Sequence, residues 1–274
     1  MSKPTVTIIG FGRVGQAFYR TLPKAGYQVV SVFSKSSHEI PVFETGFPTK
    51  KEQLGELILL TVPDDEIESV STKLCDTFSS FEGSKIVHCS GTISSDILLK
   101  LKEKKGAIAS FHPIQAVSID TDSFSSIWFD VEGDEDVIIY LDKLSKAFGA
   151  SILAISKNAK PYLHAAAVVA SNYLVTLMKM AEEIAEIGGV DKAQTMSAML
   201  PLMQSAINNI EANGTQDSLT GPIARGDVKT VQNHLEILQN HDQLLALYKT
   251  LGLATTGLSK APDESLQEMK KLLQ

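Results

Sequence analysis

The chain has 274 residues, of which 43% are hydrophobic and 21% charged, a composition typical of a globular protein of about two domains. Its 25 Lys and Arg residues against 32 Asp and Glu residues give a formal net charge of −7. This charge argues against nonspecific nucleic-acid binding, which needs a basic face. Two cysteines, Cys75 and Cys89, allow at most one disulfide and exclude a disulfide scaffold.

The N-terminal sequence MSKPTVTIIGFGRVG lacks the charged and apolar regions of a signal peptide. The most apolar long stretch, 163–181, is interrupted by polar residues, which argues against a membrane span. The chain has no Cys and His spacing typical of a metal site. We therefore expect a cytoplasmic protein that holds no metal.

Short apolar runs alternate with helical patterns through the first half of the chain. Strands are predicted at 5–9, 28–33, 56–62, 85–89, 107–111, 127–131 and 151–155. Helices are predicted between them, at 14–25, 65–78, 94–104 and 135–148. This alternation predicts an α/β domain with a mainly parallel sheet and helices on both faces, here placed at 1–155.

From Ser156 onward the strand signal is almost absent. A long helix is predicted from Pro161 to about Ile187, and Asp191 is the expected N-cap of the next helix. Pro201 should kink that helix, and Asn213-Gly214 should end it. The second domain, 156–274, is therefore predicted to be all-helical.

A G-x-G-x-x-G pattern follows the first predicted strand and opens the first helix, which is the context of a dinucleotide-binding loop. Its glycines allow a tight turn, close approach of a pyrophosphate, and close packing of helix on strand. The candidate cofactor residues of this loop are Gly10, Phe11, Gly12, Arg13, Val14 and Gly15.

The end of the second strand distinguishes the possible nucleotides. NAD sites usually place an acidic residue there to bind the ribose 2′-hydroxyl, but this chain reads Ser34-Lys35-Ser36. These residues suit a 2′-phosphate, which an acid would repel, so NADP is favoured over NAD. Val62 and Pro63, at the end of the 56–62 strand, should also border the cofactor.

Several polar residues are placed to do chemistry at the carboxyl ends of the strands. Ser90 follows one strand, and His112 ends the next. His164 shares a stripe of the first long helix with Ser171 and Asn172, and that stripe faces either a cleft or a polar spot in the core. His112 and His164 are both candidates for the general acid/base.

The loop 219–227 contains two glycines and a proline, which fix a special backbone shape. Arg225 in this loop suits a carboxylate or phosphate through a two-pronged hydrogen bond. The alternative is a salt bridge to Asp227 or to another surface acid.

The chain resembles bacterial proteins that combine a Rossmann-like domain with a DUF2520 domain. The resemblance rests on IIGFGRVG, LTVPDDEI, VHCSG, FHPIQ, FDVEGD, LHAAAVVASNYL and LTGPIARGD. The first half also resembles the superfamily of pyrroline-5-carboxylate reductase, coenzyme F420-dependent NADP reductase and 6-phosphogluconate dehydrogenase. These resemblances imply a Rossmann domain, a helical 6-phosphogluconate-dehydrogenase-like domain, a homodimer and an NADP cofactor, with NAD and coenzyme F420 as alternatives.

Two related families bear on mechanism. Ser90 and His112-Pro113 resemble the Ser and His-Pro that prephenate dehydrogenases hold near the reacting carbon, although the glycine usual after His-Pro is missing. His164 takes a place comparable to the lysine of β-hydroxyacid dehydrogenases, but Val168, not Asn, stands four residues on. Lys160 lies too near the helix start to match that lysine.

The sequence thus predicts an oxidoreductase that moves hydride between NADP(H) and a small, anionic carbonyl, imine or hydroxy compound in an interdomain cleft. Ser90, Ser171 and Asn172 would hold the substrate, and Arg225 would neutralise its charge. A nucleotide-binding regulatory or scaffold protein without turnover is the alternative. A methyltransferase is disfavoured, because the second strand lacks the terminal acid and the second domain is helical.

Overall fold

A computed structural model describes residues 4–274 of the chain. Residues 1–3 of the N-terminal segment considered above lie outside the described residues. Two compact units are present: the residues up to Ser171, and Asn172–Gln274. The boundary between them lies within one long helix, later than the predicted domain boundary at residue 155.

The first unit is built on an eight-stranded sheet in the order β3-β2-β1-β4-β5-β6-β7-β8. Its strands are β1 Thr5–Ile9, β2 Gln28–Ser34, β3 Phe43–Thr45, β4 Leu57–Leu60, β5 Lys85–His88, β6 Ala107–Ile114, β7 Trp128–Gly133 and β8 Ser151–Ala154. All neighbours are parallel except β6 and β7, which are antiparallel. The strand order reverses between β1 and β4, where such sheets bind ligands.

Helices cover both faces of the sheet. They are α1 Arg13–Thr21, α2 Ile67–Thr77, α3 Leu99–Glu103 and α4 Glu135–Phe148. In β4, Leu57 and Leu59 pack with Phe18 of α1 on one face, and Ile58 and Leu60 pack into the core on the other. This explains why residues 57–60 are all apolar instead of alternating with polar residues. The predicted mainly parallel α/β fold is confirmed.

One strand was not predicted from the sequence, and another is longer than predicted. β3 has no local signal, because its three residues are too few to show a period and it pairs only with β2 at the sheet edge. β6 continues three residues beyond the predicted end at 111, to Ile114. That extension lengthens the antiparallel pairing with β7, in which His112 lies opposite Asp130.

The helices of the remaining chain are α5 Lys160–Ile187, α6 Lys192–Asp217, α7 Pro222–Arg225, α8 Val228–Leu238, α9 Asp242–Thr255 and α10 Asp263–Leu273. Asp191 caps α6, and its side chain accepts from the N–H groups of Ala193 and Gln194. Pro201 lies inside α6 without breaking it, and the chain leaves helical geometry at Gly214, with φ +74°. In the second unit, Val231, Met269 and Leu273 form a small core.

One helical segment within residues 4–274, Lys157–Ile187, meets the length and hydropathy expected of a membrane span, on composition alone. Only 6% of its most apolar window is buried. Its exposed apolar side chains include Tyr162, Val169 and Val175. The polar residues that interrupt the stretch in the sequence lie within this helix.

Candidate active site

The glycine loop joins β1 to α1 at the point where the strand order reverses. A Cβ at Gly10, which has φ +100°, would lie 2.6 Å from the carbonyl carbon of Thr61. A Cβ at Gly15 would lie 2.4 Å from the carbonyl oxygen of Gly10. At Gly12, in contrast, a Cβ would meet no atom within 4 Å. The chain's own packing therefore requires Gly10 and Gly15, whereas Gly12 leaves space for a ligand.

Gly12 is also the N-cap of α1, and within residues 4–274 no side-chain hydrogen bond caps this end of the helix. These N–H groups and the helix dipole suit an anion such as a pyrophosphate. The residues present therefore fit a dinucleotide at this loop.

A cavity of about 670 Å³ adjoins the loop, a size typical of a small-molecule site. The predicted cofactor residues that line it are Gly10, Phe11, Gly12, Arg13, Val14, Ser34, Lys35, Val62 and Pro63. Gly15 and Ser36 are not among its lining residues. The cavity is also lined by residues that were not predicted from the sequence, among them Phe47, Thr61, Glu66 and Lys73.

Two lysines that line this cavity contact neighbouring side chains. The ammonium of Lys35 lies 2.6 Å from a carboxylate oxygen of Glu66. Lys73 lies over the ring of Phe47, 4.4 Å from its centroid. A phosphate bound at the end of β2 would compete with Glu66 for Lys35.

Hydroxyl groups connect the loop after β4 to the loop after β5. The hydroxyl of Ser90 donates to the carboxylate of Asp64 at 2.7 Å, and that of Thr92 donates to the same oxygen at 3.0 Å. Ser90 also accepts from the N–H groups of Thr92 and Ile93. Ser90 thus holds the turn between these two loops, and a substrate that accepted from its hydroxyl would have to replace Asp64.

Three side chains form a buried chain of charge-assisted hydrogen bonds beyond the β5 loop. Nδ1 of His112 lies 2.7 Å from Oδ2 of Asp130, and Nζ of Lys160 lies 2.6 Å from Oδ1 of the same carboxylate. The side chain of Lys160 is fully buried, that of Asp130 is 3% exposed, and that of His112 is 18% exposed. Because a carboxylate only accepts, Nδ1 of His112 carries its proton, and Nε2 is the nitrogen available for proton exchange.

The second candidate histidine, His164, lies beside this chain of groups. The rings of His112 and His164 are 5.8 Å apart between centroids, in an edge-to-face arrangement. Between them lies Gly91, where a Cβ would be 2.5 Å from Nδ1 of His164 and 2.9 Å from Nε2 of His112. Only glycine fits here, so Gly91 lets both imidazoles approach the β5 loop. We call His112, Asp130, Lys160 and His164 the histidine cluster.

The cavity and the histidine cluster are neighbours within the first unit. Pro63 lines the cavity, and the next residue, Asp64, binds Ser90. The residue after Ser90 is Gly91, which touches both imidazoles. A group bound in the cavity and the imidazole of His112 therefore both adjoin the loops that follow β4 and β5.

Two residues of the histidine cluster, Asp130 and Lys160, were not among the predicted site residues. Asp130 lies in β7, and only the antiparallel register of β6 and β7 brings it opposite His112. A carboxylate between Phe129 and Val131 in a predicted strand was the available signal, because a buried charge needs a partner. Lys160 lies too near the helix start to match the lysine of β-hydroxyacid dehydrogenases, but that position brings it to Asp130.

Three predicted substrate residues lie outside the histidine cluster as described here. The hydroxyl of Ser171 donates to the carbonyl oxygen of Ala167. Asn172 begins the second unit. Arg225 is exposed at the end of α7, near the N-cap Asp227 of α8. Their substrate roles stay predictions. Within residues 4–274, no group of three or more His, Cys, Asp or Glu side chains is placed to hold a metal ion.

A third histidine, His88, ends β5 and is fully buried, and its Nδ1 accepts from the N–H of Ser90. Burial, and secondarily the charge of Lys160, lower the pKa of His88 to about 4. His88 is therefore neutral at neutral pH.

The pKa of His88 predicts a loss of stability in acid. In the unfolded chain His88 takes up a proton near pH 6.5, whereas in the folded protein it does so only near pH 4. Stability should therefore fall as pH drops through this window, by about 3 kcal/mol for this residue. Urea unfolding at pH 7, 5.5 and 4.5 should show a smaller fall for His88→Gln than for the unchanged protein. Equal falls in both proteins would contradict this assignment.

Comparison with protein families gives two matches. The Rossmann-like domain family matches residues 1–113, and the domain of unknown function DUF2520 matches residues 127–255. The comparison with curated proteins found no match.

The fold recurs in solved structures. A Bacteroides fragilis protein described as a putative NADP oxidoreductase is 19% identical, with a TM-score of 0.75, over 93% of this chain and 98% of that one. An imine reductase from Pseudomonas sp. is 18% identical, with a TM-score of 0.64, over 98% of this chain and 99% of that one.

A Plasmodium falciparum pyrroline carboxylate reductase with NADP bound is 12% identical, with a TM-score of 0.61, over 95% of this chain and 100% of that one. At these identities the likeness concerns the fold. The family matches give this chain a Rossmann-like domain over residues 1–113 and a DUF2520 domain over residues 127–255.

Proposed function

We propose that the protein is an NADP(H)-dependent oxidoreductase acting on a small carbonyl, imine or hydroxy compound. The observation that carries this proposal is the hydrogen-bonded pair of His112 and Asp130 beside a cavity built on the glycine loop. A nucleotide-binding scaffold has no need of a buried acid/base group. Similar folds in NADP-linked reductases support the nucleotide, and Ser34 and Lys35 at the end of β2 point the same way because they suit a 2′-phosphate.

The bound nicotinamide would supply or accept the hydride. The N-terminus of α1 at Gly12 would hold the pyrophosphate, and Ser34 and Lys35 would hold the 2′-phosphate. His112 would give a proton to the reacting group, or take one from it, through Nε2. Asp130 would keep the imidazole in the required tautomer and orientation. Lys160 would balance the charge of Asp130.

The choice of NADP over NAD rests on Lys35. Lys35→Met should weaken NADPH binding by about 10–100-fold, the loss of one charge-assisted hydrogen bond, while NADH binding changes little. Fluorescence titration with both nucleotides measures the ratio. Lys24→Met is the matched control, because Lys24 is an exposed lysine that likewise pairs with one acid, Asp122. Equal loss of NADPH and NADH binding in Lys35→Met would contradict the 2′-phosphate contact.

We also propose that the protein forms a homodimer through its second unit. α5 and α6 there expose large apolar side chains, including Val175 at 72%, Leu202 at 63% and Leu200 at 53%. An apolar surface of this kind is typical of an interface between subunits.

Light scattering after gel filtration should give twice the mass of the chain. Leu202→Glu should lower the dimer fraction, whereas Ile237→Glu, on α8 and 61% exposed, should leave it unchanged. A monomer at all micromolar concentrations would contradict the homodimer.

A further inference from the structure

We propose that the substrate reacts at a carbon that carries oxygen, so that the protein interconverts a carbonyl compound and its alcohol and does not reduce iminium ions. This inference rests on the proposed oxidoreductase function and narrows its substrate class. It follows from the charge balance and the proton geometry of the histidine cluster.

The charges of the histidine cluster do not suit a cationic substrate. Asp130 is the carboxylate that contacts His112, and the ammonium of Lys160, 2.6 Å away, already balances its charge. The other titratable groups packed nearby are Asp64, which accepts from Ser90 and Thr92, the neutral His88, Cys89 and His164. With His112 protonated, the Lys160, Asp130 and His112 chain carries one net positive charge. An iminium ion beside it would be repelled, whereas a developing alkoxide would be stabilised.

The proton that His112 can supply from Nε2 indicates the same substrate class, a carbonyl compound and its alcohol. When hydride adds to a carbonyl carbon, the π electron pair moves to oxygen, which must gain a proton. Protonated His112 supplies that proton from Nε2, and the neutral imidazole keeps Nδ1–H on Asp130. In this reaction the carbonyl compound, NADPH as the hydride donor and the proton give the alcohol and NADP⁺. In the reverse reaction the proton returns to Nε2 of His112. Hydride addition to an iminium ion gives a neutral amine and needs no proton.

Lys160 is then a positioning residue that also sets this preference. The methylene chain of Lys160 is buried together with its ammonium group. The ammonium therefore contacts Asp130 and cannot reach a substrate. Without its charge, Asp130 would present an unbalanced negative charge to the site. That change should reduce the site's bias against cations.

Paired substrates test the inference directly. Small ketones and 2-oxo acids are each assayed with NADPH, first without amine and then with excess methylamine. Methylamine converts each carbonyl compound to the imine of the same carbon skeleton. A preformed cyclic imine, 1-pyrroline, is assayed as well. NADPH absorbance reports turnover, and calorimetry reports NADPH binding separately. We expect at least one carbonyl compound to be reduced without amine, and we expect that adding amine does not increase the rate. The turnover rate should fall at least about 100-fold in His112→Ala.

Turnover of imines only, or no turnover of any carbonyl compound by a protein that binds NADPH, would overturn the inference. Absence of NADPH binding would instead overturn the proposed function itself.

A second measurement does not depend on turnover. Long-range proton–nitrogen NMR spectra of the NADPH-bound protein, with labelled histidine and His112→Ala for assignment, identify the neutral tautomer of His112. We expect the proton on Nδ1. A neutral form with the proton on Nε2 would contradict the proposed step.

Discussion

His112→Ala is expected to lower kcat by about 10²–10⁴-fold on any substrate of the protein, the usual contribution of a positioned general acid/base. Nε2 of His112 is the nitrogen that Asp130 leaves available, so no other group of the cluster stands in the same place. NADPH affinity should stay within a factor of about two, because His112 does not line the glycine-loop cavity. Steady-state kinetics and calorimetry of the same preparation measure the two effects.

Asp130→Asn tests the same pair by a different change. The amide of Asn can donate to Nδ1, which would put the imidazole proton on Nε2, the wrong nitrogen for a base. We expect a loss in kcat of about 10²-fold or more, as for other histidines held by a carboxylate. His164→Ala separates the two histidines, since the account assigns proton transfer to His112. A loss of the full 10²–10⁴-fold in His164→Ala, with His112→Ala nearly active, would reverse the assignment.

The second large effect is expected at Gly12. Gly12→Val should fold normally, because its Cβ meets no protein atom within 4 Å and its φ of −73° is open to any residue. The added side chain would fill the space next to the α1 N-terminus that the pyrophosphate needs. NADPH affinity should therefore fall by about 100-fold or more, equivalent to about 2.7 kcal/mol.

Gly15→Ala is the contrasting variant in the same loop. Its Cβ would lie 2.4 Å from the carbonyl oxygen of Gly10, so the backbone must shift. We expect a loss of about 1–3 kcal/mol in stability, seen as a lower melting temperature, together with weaker NADPH binding. Unchanged NADPH binding in a folded Gly12→Val protein would show that no nucleotide phosphate approaches this helix.

The sequence predicted those features that depend on neighbouring residues. The glycine loop, the continuous apolar run of β4, and the N-cap at Asp191 each have local signals, and the structure forms all three elements there. The α4 helix also begins and ends at the predicted residues, Glu135 and Phe148. Local signals of this kind fixed the fold class, because strand and helix periods differ.

The features that the sequence did not predict depend on pairing over long distances. Asp130 faces His112 only through the register of β6 and β7, and Lys160 reaches Asp130 from the first turn of α5. Glu66 meets Lys35 from the turn after β4. No local pattern marks these pairs. A buried carboxylate and a buried ammonium can be recognised as unusual in a sequence, but only the folded structure shows which partner balances each charge.

An oxidoreductase that uses NADPH for chemistry at His112 must first bind NADPH at its glycine loop. Calorimetric titration of the purified protein with NADPH, NADH and coenzyme F420 in parallel measures this binding. We expect saturable binding of one NADPH per chain, tighter than that of NADH and lost in Gly12→Val. Binding of none of the three, or equal NADPH binding by Gly12→Val, would contradict this expectation.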